Sequence, residues 1–206
     1  MTLAGRKPRR SQAERSAASS NAILNAAVEL FLEVGTRASM MEIGRRSGFS
    51  HGLVMARFGS KDGLIAAVTH EIHRRFRDEV FETLGDARGL AALYRFIDAY
   101  CGSLMRNSVS SSTFFVLLGE ALGPNNVVRS AFSELDALFR DILGTMIEQA
   151  KADGDVNTRL PTAAVTVLLV GMLRGIGVQA RVNPGAVDIE AAHDAAHLLL
   201  EGAFRP

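Results

Sequence analysis

The stretch from Asn21 to Leu64, NAILNAAVELFLEVGTRASMMEIGRRSGFSHGLVMARFGSKDGL, decides the fold. Its apolar residues recur at threes and fours, and its turn residues fall where three short helices must end. Ser39 offers a side-chain oxygen to the free N–H groups of the next helix, and Glu42, three residues on, completes a capping box with it. Ile43 then points inward. Gly48 stands where that helix closes in a left-handed conformation cheap only for a residue without a Cβ, and Ser50 caps the following helix within two residues. Val54 and Phe58, four apart, give the second helix one buried stripe, which leaves His51, Gly52, Met55, Ala56 and Arg57 on or near its outer side. Two short helices joined at a tight glycine turn make a helix-turn-helix, and an outer side of this kind fits the major groove of DNA.

The same residues resemble the tetracycline-repressor-like (TetR/AcrR) family of transcriptional regulators. The resemblance is carried by Phe31 and Gly35, by Ser39 and Ile43-Gly44, and by the unbroken run from Ser47 to Leu64. It implies base-edge contacts from His51 and Gly52 and phosphate contacts from Ser39 and Lys61. Arg46, Ser50, Leu53, Met55 and Arg57 complete the expected DNA-binding set. Lys61 also has a physical argument, since it opens a helix whose free N–H groups and macrodipole attract phosphate. Two departures stand out. Leu53 and Met55 replace the Thr and Tyr usual on the reading helix, removing a hydroxyl and a phenol that hold the DNA backbone. Arg57 stands where His or Tyr is usual and is placed to compensate, while Leu53 and Met55 suit thymine methyl groups.

Charge divides the chain in two. The 206 residues carry a formal charge of +1, yet residues 1 to 64 hold ten Lys+Arg against five Asp+Glu and residues 65 to 206 hold thirteen against seventeen. A cationic head suits phosphate, and an anionic body is kept off the duplex. The expected organisation is a basic disordered arm and start of the first helix (1–18), a helix-turn-helix domain (19–64) and a ligand-binding and dimerisation domain (65–206). Within the arm, Arg6-Lys7-Pro8-Arg9-Arg10 is expected to reach along phosphates or into a minor groove, or to act as a solubilising tail. The basic residues near Met1 are not followed by the apolar run of a signal peptide, so a cytoplasmic location is expected. One cysteine, Cys101, allows no internal disulfide and suits a reducing compartment.

Beyond Leu64 the apolar spacing stays helical and alternating β-branched runs are lacking, which predicts an all-α chain of about nine helices. Six helices are expected at Lys61–Leu84, Arg88–Asn107, Ser112–Leu122, Asn125–Ala152, Thr162–Val182 and Val187–Phe204. The apolar run from Ala163 to Leu173 falls short of the roughly twenty residues of a membrane span, so it reads as a core or interface helix and no membrane partner is expected. Gly171, Gly175 and Gly177 thin one side of it. The resemblance implies that the last two helices form a four-helix bundle with a second subunit, which makes Val167, Gly171, Arg174, Gly175, Val178, His193, His197 and Leu200 candidate dimer contacts. It also implies a pocket for a small apolar effector among the middle helices. Candidate lining residues are His73, Phe76, Tyr94, Ile97, Tyr100, Cys101, Leu104, Met105, Phe114, Phe115, Leu118 and Phe139, with Phe132 and Met146 nearby. Asp98, Arg106 and Glu120 join His73 as candidate polar groups.

The function expected from this reading is a ligand-responsive regulator, a repressor that binds a palindromic double-stranded DNA operator as a homodimer. No cofactor and no metal is expected. Two other readings compete. The first is a helical small-molecule-binding module without operator binding, motivated by Leu53 and Met55. The second is a zinc enzyme, because His193-Asp194-Ala195-Ala196-His197 spaces two histidines four apart on a helix, as zinc-protease ligands are spaced. Asp194 is a carbon shorter than the usual Glu base, and the nine residues that remain downstream supply no evident third ligand.

Overall fold

The computed structural model describes residues 11–156, 159 and 161–204. The expected basic arm, Arg6 to Arg10, lies outside them. Nine α-helices and no strand are found among the described residues: α1 Gln12–Val34, α2 Met40–Ser47, α3 His51–Phe58, α4 Lys61–Leu84, α5 Gly89–Arg106, α6 Val109–Leu122, α7 Asn126–Ala152, α8 Thr162–Val182 and α9 Ile189–Phe204. A short 3₁₀ turn, Gly35–Arg37, follows α1.

Capping sets most of these ends. α1 begins at Gln12, within the stretch 1–18 expected to hold the start of the first helix, because Ser11 and Glu14 form a capping box of their own. The Glu14 N–H donates to Ser11 Oγ at 3.1 Å and the Ser11 N–H to Glu14 Oε2 at 2.6 Å. α6 begins at Val109 rather than Ser112. Ser108 accepts from the Ser111 N–H at 3.1 Å, so the serine run is a cap plus a first turn rather than a linker. α9 opens two residues after Val187, where Asp188 Oδ1 accepts from the Ala191 N–H at 3.0 Å.

Two hydrophobic cores hold the bundle. One gathers Phe96, Tyr100, Leu143, Ile147, Leu169, Leu173, Ala196 and Leu200 from α5, α7, α8 and α9. The other joins Ile23, Phe31, Ile43, Val54 and Leu64 of the head to Leu117 and Ala121 of α6 and Val128 and Phe132 of α7. The helix-turn-helix is therefore seated on the body through shared apolar packing. Polar contacts reinforce the seat. The Thr113 hydroxyl donates to the Val28 carbonyl at 2.9 Å, and Glu120 accepts from the Thr36 N–H at 2.8 Å, from the Thr36 hydroxyl, and from Asn125 Nδ2 at 3.2 Å.

α8 runs unbroken for 21 residues, longer than its apolar core at Ala163–Leu173, and by length and composition it could cross a membrane. One side of it packs within the subunit. Val165, Leu169, Val170 and Leu173 are buried against α5 and α7, and Arg174 forms an ion pair with Asp136 of α7 at 2.6 Å.

Candidate DNA-reading head and effector cavity

The head has the local geometry its sequence calls for. The Ser39 and Glu42 capping box is formed, with the Glu42 N–H on Ser39 Oγ at 3.2 Å and the Ser39 N–H on Glu42 Oε2 at 2.8 Å. The bond from the Ser39 backbone, followed by that from its hydroxyl, holds the Glu42 carboxyl below the usual carboxylate range. Gly48 closes α2 at φ 78°, ψ 19°, and Ser50 caps α3 by accepting from the Leu53 N–H at 3.2 Å. At Gly44 the two helices come together so closely that a Cβ would lie 2.9 Å from the Phe49 carbonyl oxygen. That approach fixes the angle at which α3 is offered.

α3 buries Val54 and partly buries Phe58, and it presents His51, Gly52, Met55, Ala56 and Arg57 to solvent, as its spacing predicts. Leu53 is half-buried. Lys61 is exposed at the first position of α4, behind the Ser60 cap that accepts from the Gly63 N–H at 3.0 Å. Gly63 was not legible as a constrained position. A Cβ there would lie 2.2 Å from the Phe58 carbonyl oxygen, so the turn between α3 and α4 admits glycine alone. The Asp62-Gly63 pair inside a helical pattern was the available signal.

Two arginines of the expected DNA-binding set have partners within the head. Arg46 makes a two-pronged bond to Glu33 at 2.9 and 3.0 Å and reaches Glu29 at 3.5 Å. Those bonds lower the Glu33 carboxyl and raise the Arg46 guanidinium. Arg57 donates to Ser16 Oγ and, at 3.3 Å, to Ser19 Oγ. Both tie the helix-turn-helix back to α1. Ser39 and Ser50 likewise hold their own helices by capping.

A cavity forms where α4, α5, α6, α7 and α8 meet. Seven of the expected residues line it: His73, Phe76, Tyr100, Leu104, Phe114, Phe115 and Phe139. Five do not. Ile97 and Cys101 are buried in the core, Met105 is exposed, Leu118 packs with the head core, and Tyr94 stacks on His197 at 4.9 Å. Three of the four polar candidates are also elsewhere. Glu120 clasps Thr36, Arg106 pairs with Glu79 at 2.7 Å, and Asp98 binds the two histidines of α9. Cys101 is inert by environment, since burial pushes its thiol up to about 11.

The cavity is aromatic and narrow, about 60 Å³. Phe76 stacks on Phe139 at 5.5 Å, and His73 stands edge-on to Phe114 and Phe132 at 5.4 and 5.5 Å. His73 Nε2 and the Tyr100 hydroxyl are buried there without hydrogen-bond partners. Desolvation, followed by the charge on Arg174, lowers the His73 imidazole to about 3. Desolvation also raises the Tyr100 phenol far above its ordinary range. Both are neutral at physiological pH; the phenol donates, and His73 Nε2 donates or accepts according to the imidazole tautomer. A second, open cavity of about 590 Å³ lies on the other side of the wall formed by His73, Phe96 and Phe139.

The face expected to meet a second subunit needs correcting in phase. Val167, Gly171, Gly175 and Val178 do lie on the outer side of α8, and a Cβ at either glycine meets nothing within 4 Å. With Leu168, 72% exposed, and Val182 they continue a stripe spaced alternately by three and four. Arg174 is one residue out of phase with Gly175 and turns to Asp136 and the cavity. His193, His197 and Leu200 share the inner face of α9, against α5, and the outer face carries Leu198 and Leu199, 68% and 65% exposed. Gly177 also faces inward, where a Cβ would lie 2.2 Å from Phe115 Cζ.

A helix-turn-helix seated on a helical body that encloses an aromatic cavity is the architecture of a DNA-binding regulator. Residues 23–68 match the family model described as bacterial regulatory proteins, tetR family. The HTH-type transcriptional repressor Rv3405c of Mycobacterium tuberculosis is 36% identical over 88 residues, covering 38% of this chain and 47% of that protein. The chain thus spans about half the length of the curated relatives it matches. A TetR transcriptional regulator from Chloroflexus aurantiacus shares the fold with a TM-score of 0.82, 17% identity, and coverage of 93% of this chain and 98% of that one. A SmeT–triclosan complex shares it at a TM-score of 0.76 and 22% identity, over 92% of this chain and 95% of the other. Residues 23–68 are thus a tetR-family DNA-binding helix-turn-helix, and the described chain has the all-α fold of TetR transcriptional regulators.

Proposed function

We propose that the chain is a repressor, not an enzyme, that binds a palindromic operator as a homodimer in the cytoplasm and is released from it by a small apolar effector. One observation carries the reading: α4 is a single helix that bears Lys61 at its exposed start and His73 and Phe76 in the cavity wall. An effector that wedges α4 shifts the head, and a second subunit across the α8 and α9 face sets the distance between two heads at about one DNA turn, roughly 34 Å. The M. tuberculosis relative is named a repressor, and SmeT is described in complex with triclosan; both support the reading. The cavity's own chemistry narrows the effector. Aromatic walls and two unpaired neutral polar groups, the Tyr100 hydroxyl and His73 Nε2, suit an uncharged, largely apolar molecule with a hydrogen-bonding group at one end. At about 60 Å³ the cavity admits such a molecule by moving the wall of Phe139 toward the larger neighbouring cavity.

The test is selection of bound fragments from genomic DNA, followed by binding of the selected site with and without apolar compounds shown to occupy the protein. The expected result is a palindromic site bound by two chains and weakened by the compound. By linkage, an effector that prefers the DNA-incompetent head spacing must lower operator affinity. Compounds that occupy the cavity and leave operator affinity unchanged would refute the switch.

A further inference from the structure

The sequence pairs His193 with His197 and finds no third ligand downstream; the fold supplies one from upstream. We propose that Asp98 of α5 and His193 and His197 of α9 form a binding site for a divalent cation of zinc's type, which staples α9 to the body. Each histidine Nε2 lies 2.8 Å from the same Asp98 Oδ1. The three ligand atoms all fall within 4.8 Å of one another. Bonds of about 2.0 to 2.1 Å around tetrahedral zinc place ligand atoms roughly 3.3 Å apart, so shifts of an ångström or less bring all three into a coordination sphere.

Three further features fit a metal better than a surface ion pair. The His193 Nδ1 lies 3.0 Å from Asp194 Oδ1, an outer carboxylate of the kind that orients a ligating imidazole and leaves Nε2 to the metal. The His197 ring is stacked on Tyr94 with an interplanar angle of 14°, which fixes its plane. Asp98 is more exposed than either histidine, 43% against 25% and 26% for the side chains, so the site opens to solvent on the carboxylate side, where water takes the fourth position. Two imidazoles and one carboxylate suit zinc and its neighbours and discriminate against magnesium and calcium, which take all-oxygen sets. The role is positional. The staple joins α5 to the helix whose opposite face carries Leu198 and Leu199.

Titration of the full chain, purified without a histidine tag, with zinc chloride in a calorimeter tests this. One zinc per chain is expected, together with a rise in melting temperature and, with cobalt substituted, the visible absorption of a low-symmetry nitrogen and oxygen site. Asp98→Asn and His197→Gln should each weaken zinc binding roughly tenfold or more. His70→Gln, on a histidine elsewhere, should leave it unchanged. Circular dichroism of each metal-free variant checks the fold, and should His197→Gln not fold, the near-isosteric and exposed Asp98→Asn decides. Absence of zinc binding, or binding undiminished in Asp98→Asn, overturns the proposal.

Discussion

Two glycines of α8, Gly175 and Gly177, look alike in the sequence and should respond in opposite ways to an added side chain. At Gly177 a Cβ would stand 2.2 Å from Phe115 Cζ, 2.9 Å from Cε1 and 3.1 Å from Leu104 Cδ2. Phe115 is not free to swing away, since the Arg181 guanidinium covers its ring at 4.0 Å and Phe114 packs edge-on at 5.0 Å. Overpacking of this kind costs about 1 to 3 kcal/mol, against a helix-propensity gain for Gly→Ala of about 1 kcal/mol. Gly177→Ala should therefore lose up to about 2 kcal/mol, or roughly 4 to 8 °C in melting temperature for a chain of this size. Self-association should stay intact. At Gly175 a Cβ meets nothing within 4 Å, so Gly175→Ala should gain about 1 kcal/mol of propensity with no penalty inside the subunit. Gly175→Leu should separate the subunits of the proposed dimer, because a packed helix pair tolerates added volume poorly. Thermal melts at fixed concentration, paired with sedimentation across a concentration series, read the two effects apart. A Gly177→Ala protein that melts above the unmodified chain would refute the packing argument. A Gly175→Leu protein that self-associates as before would remove α8 from the interface.

Two further predictions concern the head and the cavity. Lys61→Ala should weaken binding to all DNA sequences alike and lower the salt slope by about one for each phosphate no longer neutralised, or two per dimer, whereas His51→Ala should lose about 1 to 3 kcal/mol per half-site on the preferred operator only. Binding measured on operator and random DNA across salt checks both, and a Lys61 variant with altered base preference and an unchanged salt slope would falsify the division. His73 is held neutral in the folded chain with its pKa depressed to about 3, so its stabilising contribution is complete above the unfolded value near 6.5 and is lost as the pH falls toward 3. At pH 5 that loss is about 2 kcal/mol relative to pH 7, and His73→Phe should abolish this part of the acid sensitivity. Urea unfolding of both proteins at the two pH values measures it, and equal losses would show that His73 is not the group responsible.

Helix positions were legible because local chemistry sets them. Ser39, Gly48 and Ser50 write the turn into the chain, and Pro161 and Asn183 bracket α8 as punctuation. Side-chain direction was less legible wherever a helix is apolar on two faces. α9 could seat either His193, His197 and Leu200 or Leu198 and Leu199 against the body, and Asp98, 95 and 99 residues away along the chain, decides between them. Glu120 is a similar case. As a carboxylate on a middle helix it reads as a cavity group, and its partner Thr36 is separated by 84 residues. In the head, the resemblance pointed Arg46 and Arg57 toward DNA, but Glu33, Ser16 and Ser19 on α1 stand within their reach. Periodicity reports which residues share a face and is silent on what that face meets.

The apolar cluster running from Ile23 and Val54 to Leu117 and Phe132 makes the head a poor candidate for transplantation. Severed after Leu64, it would bare the side of α1 that α6 covers and leave the Val28 carbonyl without the Thr113 hydroxyl. A chimera that exchanges reading heads between regulators of this fold must carry the matching surface of α6 and α7 with it. Drift in α1 is correspondingly answerable to residues more than eighty positions downstream, so operator preference can diverge through the exposed side of α3 while the seat beneath it is held in register with the body.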